Sequence, residues 1–323
     1  MNFRPHRLVR RACPTRRVPA GLVYATWDAH GPSLDEYLGD ARWYPGTQFN
    51  RFDAGTVALG PQKWIEPVNW KAPVDNCSDN YHVPVSHASS ARVQVKFRGR
   101  AVGTPSTHAA AFAAPHRHVF VNGHKIMARI RQDGDPLWYV GMDADAFKVY
   151  KEWYLETLPE KERRLGSFRA RHVQIANHSI FPNTALGFRL ALPRGPRMTE
   201  FWSFVTYDKN MPAEVVNAIR RGHAQNIGVS GLNEQDDIDN WRQVSQSGGY
   251  TAARDIPQDL SMGVGHAGPH DRLPGEVAEI LISENNQRHF YRRWQEFMNA
   301  RSWDDIAIRP KTAVYEGTAG MRG

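Results

Sequence analysis

Between Asn69 and His87 the chain carries Asp75, Asn76, Cys77, Asp79, His82 and His87, side chains able to bind a metal or move a proton. Two neutral imidazoles five positions apart are candidate ligands for a borderline metal. At about 100° per residue a straight helix would set His82 and His87 about 140° apart, too far round to converge. Pro84 lies between them, and a bend or break there would let both rings turn to one point. Two histidines leave a metal short of ligands; one carboxylate from elsewhere would complete a facial triad with positions open for dioxygen and water.

The remote candidate for that carboxylate is the run Glu234, Asp236, Asp237, Asp239 ahead of Trp241. Crowded carboxylates repel, and a bound cation relieves them. The same acids equally suit a helix N-terminus through its dipole, and His82 and His87 equally suit a polar surface helix. Residue types alone leave both readings open. A rival site is also present: His116 and His118 share one face of a strand and His124 follows a turn, an arrangement that holds zinc in some hydrolases. No Asp or Glu lies near them, so pocket-lining or core histidines are the alternative.

Cysteine is scarce. Cys13 and Cys77 are the only two of 323 residues, neither within a CxxC, CxH or CxxH arrangement. These residues therefore assemble no iron–sulfur cluster or cysteine-based zinc site, and a reducing cytoplasm is the expected compartment. No apolar run approaches the roughly 20 residues of a membrane span, so no membrane association is expected. The net charge of +8 is local: residues 1–17 hold six arginines and no acid, and without them the balance is +2. Nucleic acid is not an expected partner. Residues 1–17 are read as a poorly ordered basic extension, 18–306 as one catalytic domain and 307–323 as a tail.

The elements that must position these residues follow from patterning. Strands are expected over 20–27, within 56–71, over 137–141, 172–180, 184–191 and 198–207, and a hairpin over 119–130 turns at Asn122-Gly123. Helices are expected at 33–38 with Ser33 as cap, around 75–87, and over 144–165, 212–226, 236–246 and 283–300. In the last of these, Ser283 is the expected cap, and Phe290, Trp294 and Phe297 recur at helical spacing. Residues 101–117, rich in Ala, Thr, Ser and Pro, read as a loop. Strands joined by short turns, with helices gathered later, give an α+β class with an antiparallel sheet.

With these motifs in view the chain resembles the catalytic domain of the alpha subunit of Rieske-type aromatic-ring-hydroxylating oxygenases, from about Arg17 to Ile306. The anchors, in family order, are Pro32 to Gly39, Asn69-Trp70-Lys71, Asp75 to His87, Phe181-Pro182-Asn183, Pro193 to Pro196, Gln235 to Trp241, and Ser283 to Trp294. The resemblance implies a large antiparallel sheet flanked by helices, helix-grip-like, with iron beneath a hydrophobic cavity. It implies that His82, His87 and Asp237 ligate one mononuclear Fe(2+). Asp79 would be the bridging acid that bonds a ligand histidine and connects to a cluster on a neighbouring subunit. Asn76 and Cys77 match positions near substrate or iron, and Val83, Ile227 and Asn233 are further pocket positions by spacing.

The implied reaction is O2-dependent cis-dihydroxylation of an aromatic small molecule. Electrons would pass from NAD(P)H through a reductase and ferredoxin to a Rieske [2Fe-2S] cluster. That cluster needs two Cys and two His, so it is expected only from another chain, in a trimer and with a beta subunit as a further partner. A truncated or frameshifted reading frame is the expected origin of the Arg-rich start. The second reading is a cluster-less remnant that keeps the fold and binds iron or a hydrophobic ligand without turnover.

Overall fold

The computed structural model describes residues 15–17, 22–26, 28–79, 81–97, 116–132, 134, 136, 142–185, 188–280 and 282–309. The strand expected over 137–141 and residues 101–115 of the expected loop fall outside them.

The chain opens with a short antiparallel pair, β1 (Thr15–Arg17) and β2 (Val23–Ala25). Residues 15–17, at the end of the basic segment, are thus paired with 23–25. Helix Leu34–Leu38 starts where the sequence placed it. The Ser33 hydroxyl accepts the Glu36 N–H, and the Glu36 carboxylate accepts the Ser33 N–H at 2.7 Å, so two donors orphaned by helix geometry are satisfied reciprocally.

Nine strands build the main sheet: β3 (Thr56–Glu66), β4 (His116–Val121), β5 (His124–Ile130), β6 (Val173–Ile180), β7 (Thr184–Ala185), β8 (Arg189–Pro193), β9 (Thr199–Asp208), β10 (Ala267–Pro269) and β11 (Glu276–Ala278). Their order is β10-β11-β4-β5-β6-β7-β8-β9-β3, with antiparallel pairing throughout. The β4–β5 hairpin turns on Asn122 and Gly123, with φ of 50° and 83°, the left-handed pair a two-residue hairpin needs. A side chain at position 123 would also run into Arg293, so glycine is required there twice over.

Several boundaries differ from the expectations. The helix read around 75–87 is three pieces: Lys71–Asn76, the single turn Val83–Ser86, and Ala88–Phe97. β4 begins at His116, inside the expected loop. The strand expected over 184–191 is two short strands. Helix Leu232–Ser247 begins four residues early, after Gly231, whose cap position bears no side-chain cap. Ser283 accepts the Asn285 N–H at 3.1 Å, but Glu284 holds the cap position of helix Asn285–Asn299.

One core cluster backs the histidine segment. Val68, Val74, Phe181, Phe201, Ile238, Trp241 and Phe290 are all buried together, with Trp64, Trp294 and Phe297 packed against them. Trp64 and Trp241 stack on either side of Phe201 at centroid distances of 5.2 and 5.6 Å. The apolar stripe expected on the last long helix therefore belongs to the same core cluster as Ile238 and Trp241 of helix Leu232–Ser247. Burial of these side chains, each contributing about 1.5–3 kcal/mol, fixes both helices relative to the turn between them.

Candidate metal centre

His82 and His87 bracket the turn Val83–Ser86. Proline in this first turn removes a donor that would have no helical acceptor, so the turn forms without penalty. The His82 carbonyl accepts the N–H groups of Val85 and Ser86, at 3.0 and 2.8 Å, and the helix then stops at His87 and restarts at Ala88. The break brings the two rings to a centroid separation of 5.6 Å at 72°. Asn240 donates to the Ser86 hydroxyl at 3.1 Å, tying this turn to helix Leu232–Ser247.

Each ring is oriented by its own carboxylate. Asp79 Oδ1 stands 2.6 Å from His82 Nδ1 and also accepts the His82 backbone N–H at 3.1 Å. Asp236 Oδ2 stands 3.2 Å from His87 Nδ1. A carboxylate on Nδ1 fixes that nitrogen as the donor and leaves the Nε2 lone pair for a metal. Both Nε2 atoms face Asp237 Oδ1, at 3.9 Å from His82 and 3.3 Å from His87. One donor atom from each of the three residues lies within 4.8 Å of the others, the one such group among the described residues.

These donors fit a divalent iron. Two imidazoles and one carboxylate are the donor set that suits non-heme Fe(II). Gaps of 3–4 Å between donors match what metal–ligand bonds of about 2.1 Å require. Asp237 Oδ1 is buried with no hydrogen-bond partner, an expensive state for a carboxylate oxygen unless a cation completes it. Burial disfavours a charged His87 ring, but Asp237 and Asp236 outweigh it and hold the ring above its ordinary pKa.

The adjacent acids, indistinguishable by type, have separate tasks here: Asp237 faces both imidazoles and Asp236 orients one. Glu234, one turn earlier, pairs with Arg189 of β8 at 2.6 Å. Burial pushes its carboxyl up to about 7 despite that partner. Asn76 ends helix Lys71–Asn76, and Cys77 follows it, partly buried, its thiol pushed up to about 11 by burial. Val83 is partly buried beside His82. Asn233, one turn before Asp237, accepts the Ser90 hydroxyl at 2.8 Å. Ile227, at the end of helix Ala213–Asn226, is 43% exposed, and its carbonyl accepts from Arg189 at 3.1 Å.

Among the described residues the rival histidines form no metal-ligating group with acids. His124 Nε2 bonds the Tyr37 carbonyl at 2.9 Å and its Nδ1 accepts the Phe181 N–H at 3.0 Å, so neither nitrogen is left for zinc. His116 Nε2 accepts from Arg129 at 3.2 Å. Sequence reading missed Asp236 as an individual, Lys125 beneath the turn, and Gln287, which donates to Asp79 Oδ2 at 3.0 Å. The acidic run signalled the first; nothing local signalled the other two.

A helix-flanked antiparallel sheet, with two histidines on one turn and an acid on a neighbouring helix gathered at one point, defines a class of fold with a candidate mononuclear metal site. Residues 34–300 match the family described as ring hydroxylating alpha subunit (catalytic domain). The chain belongs to that family and carries its catalytic domain. It is 32% identical over 300 residues to biphenyl dioxygenase subunit alpha of Paraburkholderia xenovorans, covering 88% of this chain and 62% of the relative. It is 30% identical over 304 residues to benzene 1,2-dioxygenase subunit alpha of Pseudomonas putida, covering 88% and 64%. Naphthalene 1,2-dioxygenase with indole bound in the active site superimposes with a TM-score of 0.76 at 27% identity, covering 91% of this chain and 66% of that one. The chain thus spans somewhat less than two thirds of the length of these curated relatives.

Proposed function

We propose that this chain is the iron-bearing catalytic domain of an aromatic-ring dioxygenase, with one ferrous ion held by His82 Nε2, His87 Nε2 and an Asp237 carboxylate oxygen. The observation that carries the reading is the convergence of these three donors around a buried carboxylate oxygen with no hydrogen-bond partner. Ferrous ion supplies a redox centre for dioxygen, and cis-dihydroxylation of an arene consumes two electrons beyond those of the ring.

The chain's own residues do the rest. Asp79 and Asp236 keep each imidazole in the tautomer that presents Nε2, and the aromatic core behind Asp237 excludes water on that side. Asp79 also serves as the link from His82 to an electron donor, in keeping with the family resemblance. Asn76, Cys77, Val83, Ile227 and Asn233 shape the substrate pocket, and the names of the relatives favour a one- or two-ring aromatic molecule as substrate. Neither cysteine of the 323 residues sits in the CxH or CxxH arrangement of a Rieske cluster, so the second electron is assigned to a cluster outside them. Supply from NAD(P)H through reductase and ferredoxin, trimeric assembly, a beta subunit and a cytoplasmic location belong to the same proposal.

The test is metal content after anaerobic loading with ferrous ion. One iron per chain, lost in His82→Ala, supports the reading; equal iron in parent and variant overturns it. Turnover is then expected only when a cluster-bearing partner is added, and steady NADH-driven product without one would sink the electron-supply part.

A further inference from the structure

We propose that Lys125 is a positioning residue for the metal centre: a buried ammonium that fastens the turn 74–79, and through it the Asp79–His82 pair. The inference rests on the metal-centre reading and adds to it a residue far from the donors in sequence.

Lys125 lies in β5 and is fully buried, its Nζ 4.2 Å over the Phe290 ring. A leucine or methionine would fill such a site without the large desolvation penalty of an ammonium. The lysine is retained where it meets specific acceptors. Its Nζ donates to the Val74 carbonyl at 2.7 Å and to the Ser78 hydroxyl, which in turn donates to the same carbonyl at 3.1 Å. Val74 O is among the last carbonyls of helix Lys71–Asn76, where the helix dipole favours a cation. Burial draws the ammonium down to about 8 despite the opposing pull of the Asp75 and Asp79 carboxylates, which leaves it charged at neutral pH.

Ser78 is the residue immediately before Asp79 and is itself fully buried. Lys125 grips its hydroxyl from the sheet, while Asn286 of helix Asn285–Asn299 donates to its carbonyl at 2.9 Å. Asp79 then has Oδ2 held by Gln287 and Oδ1 on His82. Sheet and helix together determine where that carboxylate stands before it touches the imidazole. Removal of the ammonium releases the sheet side of this clamp and leaves Val74 O and Ser78 Oγ buried around an apolar side chain.

The test uses cobalt(II) as the probe, in the full chain, with a metal-free melting curve measured alongside. Lys125→Met is expected to weaken cobalt binding about tenfold, the scale seen when groups that orient metal ligands are lost, and to shift the visible cobalt bands. Lys125→Gln, which keeps a donor, is expected to recover part of both. A folded Lys125→Met with parental affinity and spectrum, even at a lower melting temperature, overturns the proposal. Should Lys125→Met not fold, Ser78→Ala decides: weaker cobalt binding with shifted bands supports the clamp, parental values overturn it. A parent that binds no cobalt through His82 sinks the metal-centre reading, and this proposal with it, so the two failures are distinct.

Discussion

The chain holds two histidine clusters on opposite sides of the question of what an imidazole is for. His82 and His87 each present Nδ1 to a carboxylate and Nε2 to a shared point beside Asp237. In the sheet, His124 has both nitrogens taken by backbone groups, and burial drags it down to about 4, while Asp236 and Asp237 hold His87 above its ordinary value. Same side chain, opposite electrostatics. The difference lies in the partner: a carboxylate orients the ring and stabilises positive charge, whether proton or metal, whereas a backbone carbonyl and amide lock a neutral ring into the core.

The sharpest way to break this contrast is to delete one ring from each cluster. His87→Ala should reduce iron from one per chain to none, with a melting temperature near that of the metal-free parent. His124→Ala should keep its iron and lose about 3 kcal/mol of stability, through two stranded buried partners and a cavity. Metal analysis and denaturant melts read both; iron lost equally from the two variants would erase the distinction.

Acid should separate the clusters next. The folded pKa of His124 lies below its unfolded value near 6.5, so between pH 6.5 and about 4 the unfolded chain binds more protons. Stability must fall as pH drops across that window, by roughly 2–3 kcal/mol from this ring. His178, held far below its ordinary value by burial, acts with the same sign. His87 in the metal-free protein has the opposite sign: its contribution is present below the unfolded value and is lost as pH rises through the raised folded one. Urea melts at pH 7.0 and 4.5 should show the loss, and His124→Gln should shrink it by this ring's share, leaving that of His178; a flat parent profile would contradict the assignment.

The smallest effect tests the division of labour between neighbours. Asp236→Ala should weaken iron or cobalt binding about tenfold by freeing the His87 ring, without abolishing it. Competition with a chelator measures this. Loss as complete as in Asp237→Ala would mean that the two acids share one role.

Much of the fold was legible because it is written in local pattern. The Ser33 box, the Asn122-Gly123 turn, the helix Ala144–Leu165 and the stripe Phe290, Trp294, Phe297 all depend on neighbours a few positions away. Errors came where no local group marks an end, as at Gly231, or where one turn breaks between two helices, as around His82 and His87. The zinc reading of His116, His118 and His124 failed for a related reason: spacing shows that rings share a face, not that Tyr37 and Phe181 have already saturated one of them.

By itself, then, the amino-acid order determined the sheet-and-helix class, the candidate histidine pair and the acidic run that could join it, since residue type and periodicity are local properties. Only tertiary structure decided that Asp237 faces both imidazoles while Asp236 orients one, and that an ammonium from β5 and amides from the last long helix clamp the turn ahead of Asp79. Those contacts join residues up to 208 positions apart, and their geometry follows from how the buried aromatic cluster seats two helices against the sheet, a packing outcome that no short window of sequence contains.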